Sequence, residues 1–457
     1  MPHTTSLRDR ALAIAAALHH SGYQAWLVGG CVRDLVLGRE PKDYDIATDA
    51  VPSQVIGMFP RAELVGAQFG VVLVDGVEVA TFRSDHAYQD GRHPESVVFE
   101  KDPKQDVLRR DFTINGLLLD PSRTGLQTCS SVPSGTGLQT CVPHVVDYVG
   151  GLEDLQNGVI RAIGDPERRF QEDHLRMLRA IRFAARFNFE IEPGTMAAIQ
   201  KLRANIQRVS GERIRDEIVR ILTEGHPRRG FELLDESGLL SEIMPEVAAM
   251  KGVQQPPEFH PEGDVWVHTL IMLDNLPERP PPTLALGVLL HDVGKPSTFR
   301  IAGRIRFDGH VEAGEEIARG ILKRLRFSNG EIDQVIALIA NHMRFAAVTR
   351  MRESTVKRFL RLPKFQEHLE LHRLDCISSH GGLENYDFMR RKMEALPAEQ
   401  LRPPRLLTGD DLIAAGYEPG AQFSKMLEAV EDAQLEGRIH TREEALEMVR
   451  SAWSTDR

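Results

Sequence analysis

A chain of 457 residues carrying a net charge of −10 is too long for one hydrophobic core, and its length calls for two to four domains. The acidic balance argues against a protein that coats nucleic acid by bulk positive charge, and four cysteines without C-x-x-C spacing make neither a disulfide framework nor a zinc or redox site. No stretch reaches the length of a membrane-spanning apolar run, and MPHTTSLRDRALAIAAALHH places charges where a signal peptide needs its apolar core, so a cytoplasmic protein with reduced thiols and no membrane partner is expected.

Residues 6–21 have the apolar spacing of a helix and lead into a strand, AWLVGG. Short β-rich runs follow, AELVG, FGVVLVDG, VEVATFR and GLLLD, separated by turn residues. They predict a mixed α/β domain over about residues 1–150. A period-12 repeat, TGLQTCSSVPSG then TGLQTCVP, interrupts it at 124–143 and reads as a duplicated insertion in a hairpin loop. From about residue 165 the pattern is helical: EDHLRMLRAIRFAARFNF, TMAAIQKLRANI and GERIRDEIVRILTEG. Between Arg161 and Arg229 there are 15 Lys/Arg against 10 Asp/Glu, a local basic strip inside an acidic chain. A proline-rich break, QQPPEFHPEGD at 254–264, opens a second all-α unit that starts at VWVHTLIML and contains LLHDVGK. A small helical appendix follows from LRPPRLLTGDDLI.

The stretch LVGGCVRDLVLGREPKDYDIAT at 27–48 joins a glycine pair to two acids. It lacks the third glycine of a dinucleotide fingerprint and the Gly-Lys-Ser/Thr of a P-loop. Asp43 and Asp45, placed two apart on an edge strand, present both carboxylates on one face, and Glu78 on another strand has the register to join them. Like charges so close call for a shared cation; magnesium suits carboxylate and phosphate oxygens together. Gly29 and Gly30 form a turn whose amides can approach a triphosphate, with Arg33 and Asp34 on the first turn of the next helix. The implied reaction is nucleotidyl transfer.

The glycine pair with D-x-D, the acid in EVATFR, RRDFTIN at 109–115, the glycines 150 and 151, and EDHLR at 172–176 occur in one order over residues 25 to about 220. Together they resemble the class II tRNA nucleotidyltransferases and bacterial poly(A) polymerases of the polymerase β superfamily. The resemblance implies Asp43, Asp45 and Glu78 as the catalytic acids, Asp43 and Asp45 holding Mg2+. It implies a nucleotide site made by Gly29, Gly30, Arg33, Arg110, Asp111 and Asn115, with Glu172, Asp173, Arg176 and Arg179 on the base-reading side. Asp accepts and Arg donates, so Asp173 and Arg176, one helical turn apart, can face a C or an A edge. Arg213 and Glu217, four apart, are expected to form a supporting salt bridge. The segment DHAYQDGRHPESVVF at 85–99 matches the family's mobile loop at full length, which implies adenosine addition and leaves C addition open.

In the C-terminal half, His268, His291-Asp292, His310, His342 and Asp375 form an ordered set that can converge on one or two cations. The set resembles the HD superfamily of metal-dependent phosphohydrolases over roughly 262–380, and implies a divalent metal of unspecified identity. The expected fold is thus an α+β polymerase β-like nucleotidyltransferase head (1–150), an all-α neck and body that binds RNA and nucleotide (151–255), an all-α HD domain (256–385) and a helical tail (386–457) placed to hold the tRNA body. The expected function is template-independent addition of CCA or terminal A to the tRNA 3′ end from CTP and ATP. The alternatives are a poly(A) polymerase on mRNA, or an HD phosphohydrolase with a nucleotide-binding front half.

Overall fold

The computed structural model describes residues 6–65, 70–88, 94–122, 144–258 and 260–453. The chain forms two compact units, Met1–Pro245 and Glu246–Arg457. The duplicated segment 124–143 lies outside the described residues.

In the N-terminal unit, α1 (Leu7–His20) starts at Ser6, whose Oγ accepts from Asp9 N at 3.1 Å, and buries Ala11, Ile14, Ala15 and Leu18 on one stripe. The strands are β1 (Ala25–Val28), β2 (Asp45–Thr48), β3 (Ala62–Leu64), β4 (Val71–Val74), β5 (Val77–Thr81), β6 (Arg83–Tyr88), β7 (Pro94–Phe99), β8 (Leu117–Leu119) and β9 (Val145–Asp147). Seven of them form one sheet in the order β3-β4-β5-β2-β1-β8-β9, and β6 pairs only with β7. β2 and β5 run parallel while the other pairs are antiparallel. β2 is therefore the central strand, not the edge strand that the sequence implied. Its last three residues, Ile46, Ala47 and Thr48, are wholly buried, so ladder bonds on both flanks fix it.

Helices α2 (Gly30–Val36), α3 (Pro52–Met58), α4 (Pro103–Leu108) and α5 (Gly151–Asn157) connect or cover the sheet. The helical neck follows with α6 (Pro166–Glu172), α7 (Arg176–Phe187), α8 (Pro193–Leu202) and α9 (Gly211–Thr223). It is not purely helical: Val159–Ile160 and Glu190–Ile191 pair in parallel. EDHLR does not lie in one helix either, because the chain breaks between α6 and α7, where Asp173 is extended (φ −146°, ψ 107°) and its Oδ1 accepts from Leu175 N at 3.1 Å.

Among its described residues the C-terminal unit is mainly helical, with a hairpin pairing Arg300–Ile301 with Ile305–Arg306 and a single bridge between Gln254 and Asp264. Its helices Val265–Asp274, Pro282–Leu290, His310–Arg324, Asn329–Asn341 and Phe365–Ser378 converge, and the tail packs its own small core around Leu412, Met426, Val430 and Val449. Leu284 to Leu290 are all buried, so the Pro282–Leu290 helix is enclosed on every side. Just beyond its end the chain passes close to the His310–Arg324 helix. A Cβ on Gly294 would lie 2.1 Å from His310 O and 2.5 Å from Gly314 N, both backbone atoms that cannot step aside. Gly294→Ala is therefore expected to destabilise this unit by on the order of 3 kcal/mol, read as a lowered denaturation midpoint. An unchanged midpoint would show that the two segments can separate freely.

Candidate functional site

Where β2 and β5 begin, a cavity of about 790 Å³ is lined by Gly29, Gly30, Asp43, Asp45 and Glu78 on one side. Asp45 and Glu78 are register partners across the parallel strands, so both side chains leave the same face. Asp43 lies just before β2. Tyr44 between the acids is buried and lines the same cavity. Burial, then the charges of Glu78 and Asp43, push the Asp45 carboxyl up to about 6 against the opposing pull of Arg110. The three carboxylates line one wall without closing on each other: among the described residues, the trios with ligand atoms all within 4.8 Å lie in the C-terminal unit. An oxygen-preferring divalent cation fits this wall, because it would offset the burial and the neighbouring charges that raise Asp45.

The glycine turn is fixed by its backbone. Gly29 has φ +71°, and a Cβ there would come within 2.9 Å of the Arg110 guanidinium. α2 spans only seven residues, so the turn's amides rather than a long helix dipole offer positive potential.

The opposite wall is cationic. Arg33, Arg109, Arg110, Arg176, Arg179, Arg182, Arg186, Arg213 and Arg220 line the same cavity. Four of these follow the spacing 176, 179, 182, 186 along α7, a single stripe whose other face buries Met177, Leu178, Ala180, Ile181 and Ala184. Six of the 15 basic residues in 161–229 (Arg176, Arg179, Arg182, Arg186, Arg213 and Arg220) thus turn into the cavity rather than outward.

Internal partners hold this wall. Arg179 forks onto Asp111 Oδ2 at 2.8 and 2.6 Å, while Asn115 Nδ2 donates to Asp111 Oδ1 at 3.0 Å. Burial would raise the Asp111 carboxyl, but Arg179, the Asn115 hydrogen bond and Arg176 hold it well below the usual carboxylate range. Arg33 is 3% exposed, donates to Asn115 Oδ1 at 2.6 Å and to Asp34 at 2.8 Å, and lies over the rings of Phe183 and Phe187. Its donors are occupied within the protein, which makes it a strut between α2 and α7. Arg176 donates to Glu172 at 2.8 Å and to the carbonyls of Arg169 and Arg109. Arg213 and Glu217 do not pair with each other: Arg213 donates to Asp173 at 2.9 Å, and Glu217 accepts from the buried Arg182 at 2.6 Å. The break before α7 swings Asp173 toward α9, which is why the expected i,i+4 pair gives way to two inter-helix pairs.

The second site lies in the C-terminal unit, in a cavity of about 660 Å³ lined by His291, Asp292, His310, His342 and Asp375. His268 adjoins it, with Nε2 at 3.3 Å from Asp375 Oδ1. The Nδ1 atoms of His291, His310 and His342 face the carbonyls of Val288, Phe307 and Ile339 at 2.9, 2.9 and 2.6 Å. A carbonyl only accepts, so each Nδ1 carries a hydrogen, and in the neutral form of each ring Nε2 is the lone pair. Those lone pairs point at another acceptor: His291 Nε2 lies 3.1 Å from Asp292 Oδ2, and His310 and His342 Nε2 each lie 3.9 Å from Asp292 Oδ1. His291 Nε2, His310 Nε2 and Asp292 Oδ1 are buried without a hydrogen-bond partner. Acceptors facing acceptors in a largely buried setting could serve as the donor set of a cation site. Two ligand trios, His268/His291/Asp292 and Asp292/His310/His342, share Asp292. Burial pulls His342 down to about 4, keeping it neutral, while Asp375 and Glu262 push His268 up to about 9 against its burial.

The residues singled out from the sequence line or adjoin one of these two places, except that Asp34, Glu172 and Glu217 only hold Arg33, Arg176 and Arg182 from behind, and Gly150 and Gly151 line neither cavity. Missed were Arg109, Arg182, Arg186 and Arg220 in the first cavity and Glu262 and Lys295 at the second. The three-to-four spacing of arginines in RMLRAIRFAAR was a legible signal for Arg182 and Arg186; nothing in the spacing pointed to Glu262. Cys31 and Cys376 are buried and free. Among the described residues no helix is long and apolar enough to cross a membrane.

Residues 25–161 match the poly A polymerase head domain family, residues 188–251 a family described as "Probable RNA and SrmB- binding site of polymerase A", and residues 309–449 a tRNA nucleotidyltransferase domain 2 family. The chain is 36% identical over 279 residues to the CCA-adding enzyme of Lactobacillus helveticus, a match covering 59% of this chain and 64% of that protein. It is 30% identical over 440 residues to the CCA-adding enzyme of Limosilactobacillus fermentum, covering 94% and 93%. Its fold is similar to the Bacillus stearothermophilus CCA-adding enzyme solved in complex with CTP, with a TM-score of 0.70, 24% identity and 98% of each chain covered.

The raised carboxyl of Asp45 has a consequence for the metal-free protein. Its folded-state value of about 6 exceeds the ordinary aspartate value near 3.9, so ionising it costs stability above pH 6, a penalty that fades as pH falls toward 4. Asp45→Asn is expected to raise the urea midpoint in EDTA at pH 7.5 by the equivalent of about 1–2 kcal/mol, allowing for solvent screening, and to lose most of that gain at pH 4.5. A gain that is the same at both pH values would rule out this origin.

Proposed function

This chain belongs to the CCA-adding enzyme family, and from that premise we propose that it extends the tRNA 3′ end with CCA, or with its terminal A, from CTP and ATP without a nucleic-acid template. The observation that carries the reading is the single cavity whose acidic wall, Asp43, Asp45 and Glu78, faces a wall of arginines. Asp43 and Asp45 would hold Mg2+, with Glu78 beside them; when bound, the ion supplies charge stabilisation at the transferring phosphate and lowers the proton affinity of the attacking hydroxyl. The amides of Gly29 and Gly30 and the guanidinium of Arg110 take the triphosphate, and Asp111 and Asn115 hold the neighbouring ribose. Arg33 supports Asn115 from behind.

Base choice lies on the α6/α7 break. Arg213 fixes Asp173, and Glu172 with two carbonyls fixes Arg176, so an acceptor and a donor are held in set directions toward the incoming base. Electrostatic preorganisation of this kind costs no rearrangement when the nucleotide binds. The outward basic residues Arg161, Arg168, Lys201 and Arg203 would meet RNA phosphates, with salt-dependent affinity and the acceptor helix read by its shape. The tail is a weaker candidate for holding the tRNA body, because the helices Ala421–Leu435 and Arg442–Ala452 are rich in Glu and Asp.

The C-terminal unit supports a second, independent reading as an HD metal centre with His268, His291, Asp292, His310, His342 and Asp375 as ligands. The bare Nε2 atoms aimed at Asp292 favour it, and the two trios sharing that carboxylate favour two divalent cations. Such a centre suits phosphohydrolase chemistry. Within this reading the chain divides into head (1–150), neck (151–255), HD domain (256–385) and tail (386–457).

Purified protein with CTP and ATP on a tRNA ending at the discriminator base tests the leading reading. Ordered addition of C, C and A supports it; ATP added only after CC marks an A-adding enzyme, and unlimited ATP addition a poly(A) polymerase. Asp45→Ala is expected to abolish addition, whereas His291→Ala with Asp292→Ala leaves it intact; loss of addition in the folded double variant would overturn the separation of the two sites. Arg176→Ala is expected to erode selection of CTP and ATP over UTP and GTP by roughly 1–3 kcal/mol, the scale of base-edge readout, as seen in the ratio of kcat/KM values.

A further inference from the structure

We propose that Glu262 is a positioning residue of the C-terminal cation centre, an inference that rests on reading that centre as a metal site. The stretch 254–264 looks like a proline-rich spacer in the sequence, yet its end is built into the fold. Asp264 caps the Val265–Asp274 helix by accepting from Val267 N at 2.7 Å and also accepts from Gly252 N at 2.8 Å. Gln254 bridges to Asp264, and Val265 N donates to Val253 O at 3.0 Å, so the loop closes at its base.

Glu262, with its side chain 8% exposed, projects from this closed loop onto His268. Its Oε1 accepts from His268 Nδ1 at 2.6 Å and from His260 Nδ1 at 2.9 Å. A carboxylate only accepts, so one hydrogen of His268 stays on Nδ1; without an ion a second proton sits between Nε2 and Asp375, and a cation that displaces it would meet the Nε2 lone pair. The other three imidazoles of the centre achieve the same tautomer through backbone carbonyls three residues earlier. His268 instead depends on a side chain from another segment. A carboxylate is the stronger acceptor and makes the ring a more basic ligand. The same stretch reaches the centre a second time: Gln255 Oε1 accepts from Lys295 Nζ at 2.7 Å, and Lys295 pairs with Asp292 at 2.6 Å. Thus the apparent spacer braces two ligands, one on the Val265–Asp274 helix and one in the turn that follows the Pro282–Leu290 helix.

The full chain and its Glu262→Gln and Glu262→Ala variants would be titrated with Mn2+ by calorimetry. Parent binding is expected, with the affinity falling in the order parent, Gln, Ala, and with an overall loss of about 10- to 100-fold, the range typical of outer carboxylate partners. Denaturation midpoint and nucleotide addition by the N-terminal unit serve as readouts that a misfolded variant would change and this role would not. If both variants bind Mn2+ as the parent does, Glu262 has no positioning role although the centre stands. Absence of Mn2+ binding by the parent would overturn the centre itself, and the role of Glu262 with it.

Discussion

Anions and lone pairs that face one another inside a protein repel unless a cation or a proton lies between them. Both candidate sites are organised around that constraint, by different means. In the N-terminal unit the carboxylates gather at the start of β2 and on its neighbour β5, where β2 is bonded on both flanks, and burial together with the neighbouring acids raises the proton affinity of Asp45. In the C-terminal unit the crowded groups are three imidazoles around one carboxylate, each ring locked by a hydrogen bond on its far side. A rigid scaffold is what keeps repelling groups together, so the fold's most enclosed elements lie directly beneath its most polar ones.

The arginine wall shows the complementary solution. Nine guanidinium groups around one cavity would repel each other as strongly as the acids do, and the protein distributes Asp34, Asp106, Asp111, Glu172, Asp173 and Glu217 among them. Buried pairs such as Arg182 with Glu217 contribute little net stability, but losing either partner leaves an isolated charge. Their value is orientation: α7 cannot rotate about its axis without breaking contacts to α2, α9 and the 109–115 turn together. The direction in which Arg176 and Asp173 face is thereby tied to the turn that carries Gly29 and Gly30.

Much of this was legible in the sequence because periodicity and residue type are local properties. The glycine pair, the alternating acids, RRDFTIN and the ordered histidines each announced their chemistry. What stayed hidden depends on contacts between distant segments. Asp173 breaks a helix that apolar spacing alone would carry through, and only then can it meet Arg213. Arg213 and Glu217 have ideal spacing for each other, yet stronger partners on α7 and at the break claim both. The position of β2 at the centre of the sheet follows from a crossover that no local pattern encodes, and a glutamate in a proline-rich stretch gives no hint that its partner is an imidazole on the following helix.

The hairpin of β8 and β9 has one further implication. Leu119 pairs with Val145, so the two strand ends that bracket the duplicated segment are held side by side by the sheet itself. Residues added between adjacent anchors need not stretch or tilt either strand, and doubling the length of such a loop costs only about 0.6 kcal/mol in closure entropy. A tandem copying event could therefore persist at this spot with little penalty, and the same spot is a natural graft point for an affinity tag or a reporter peptide.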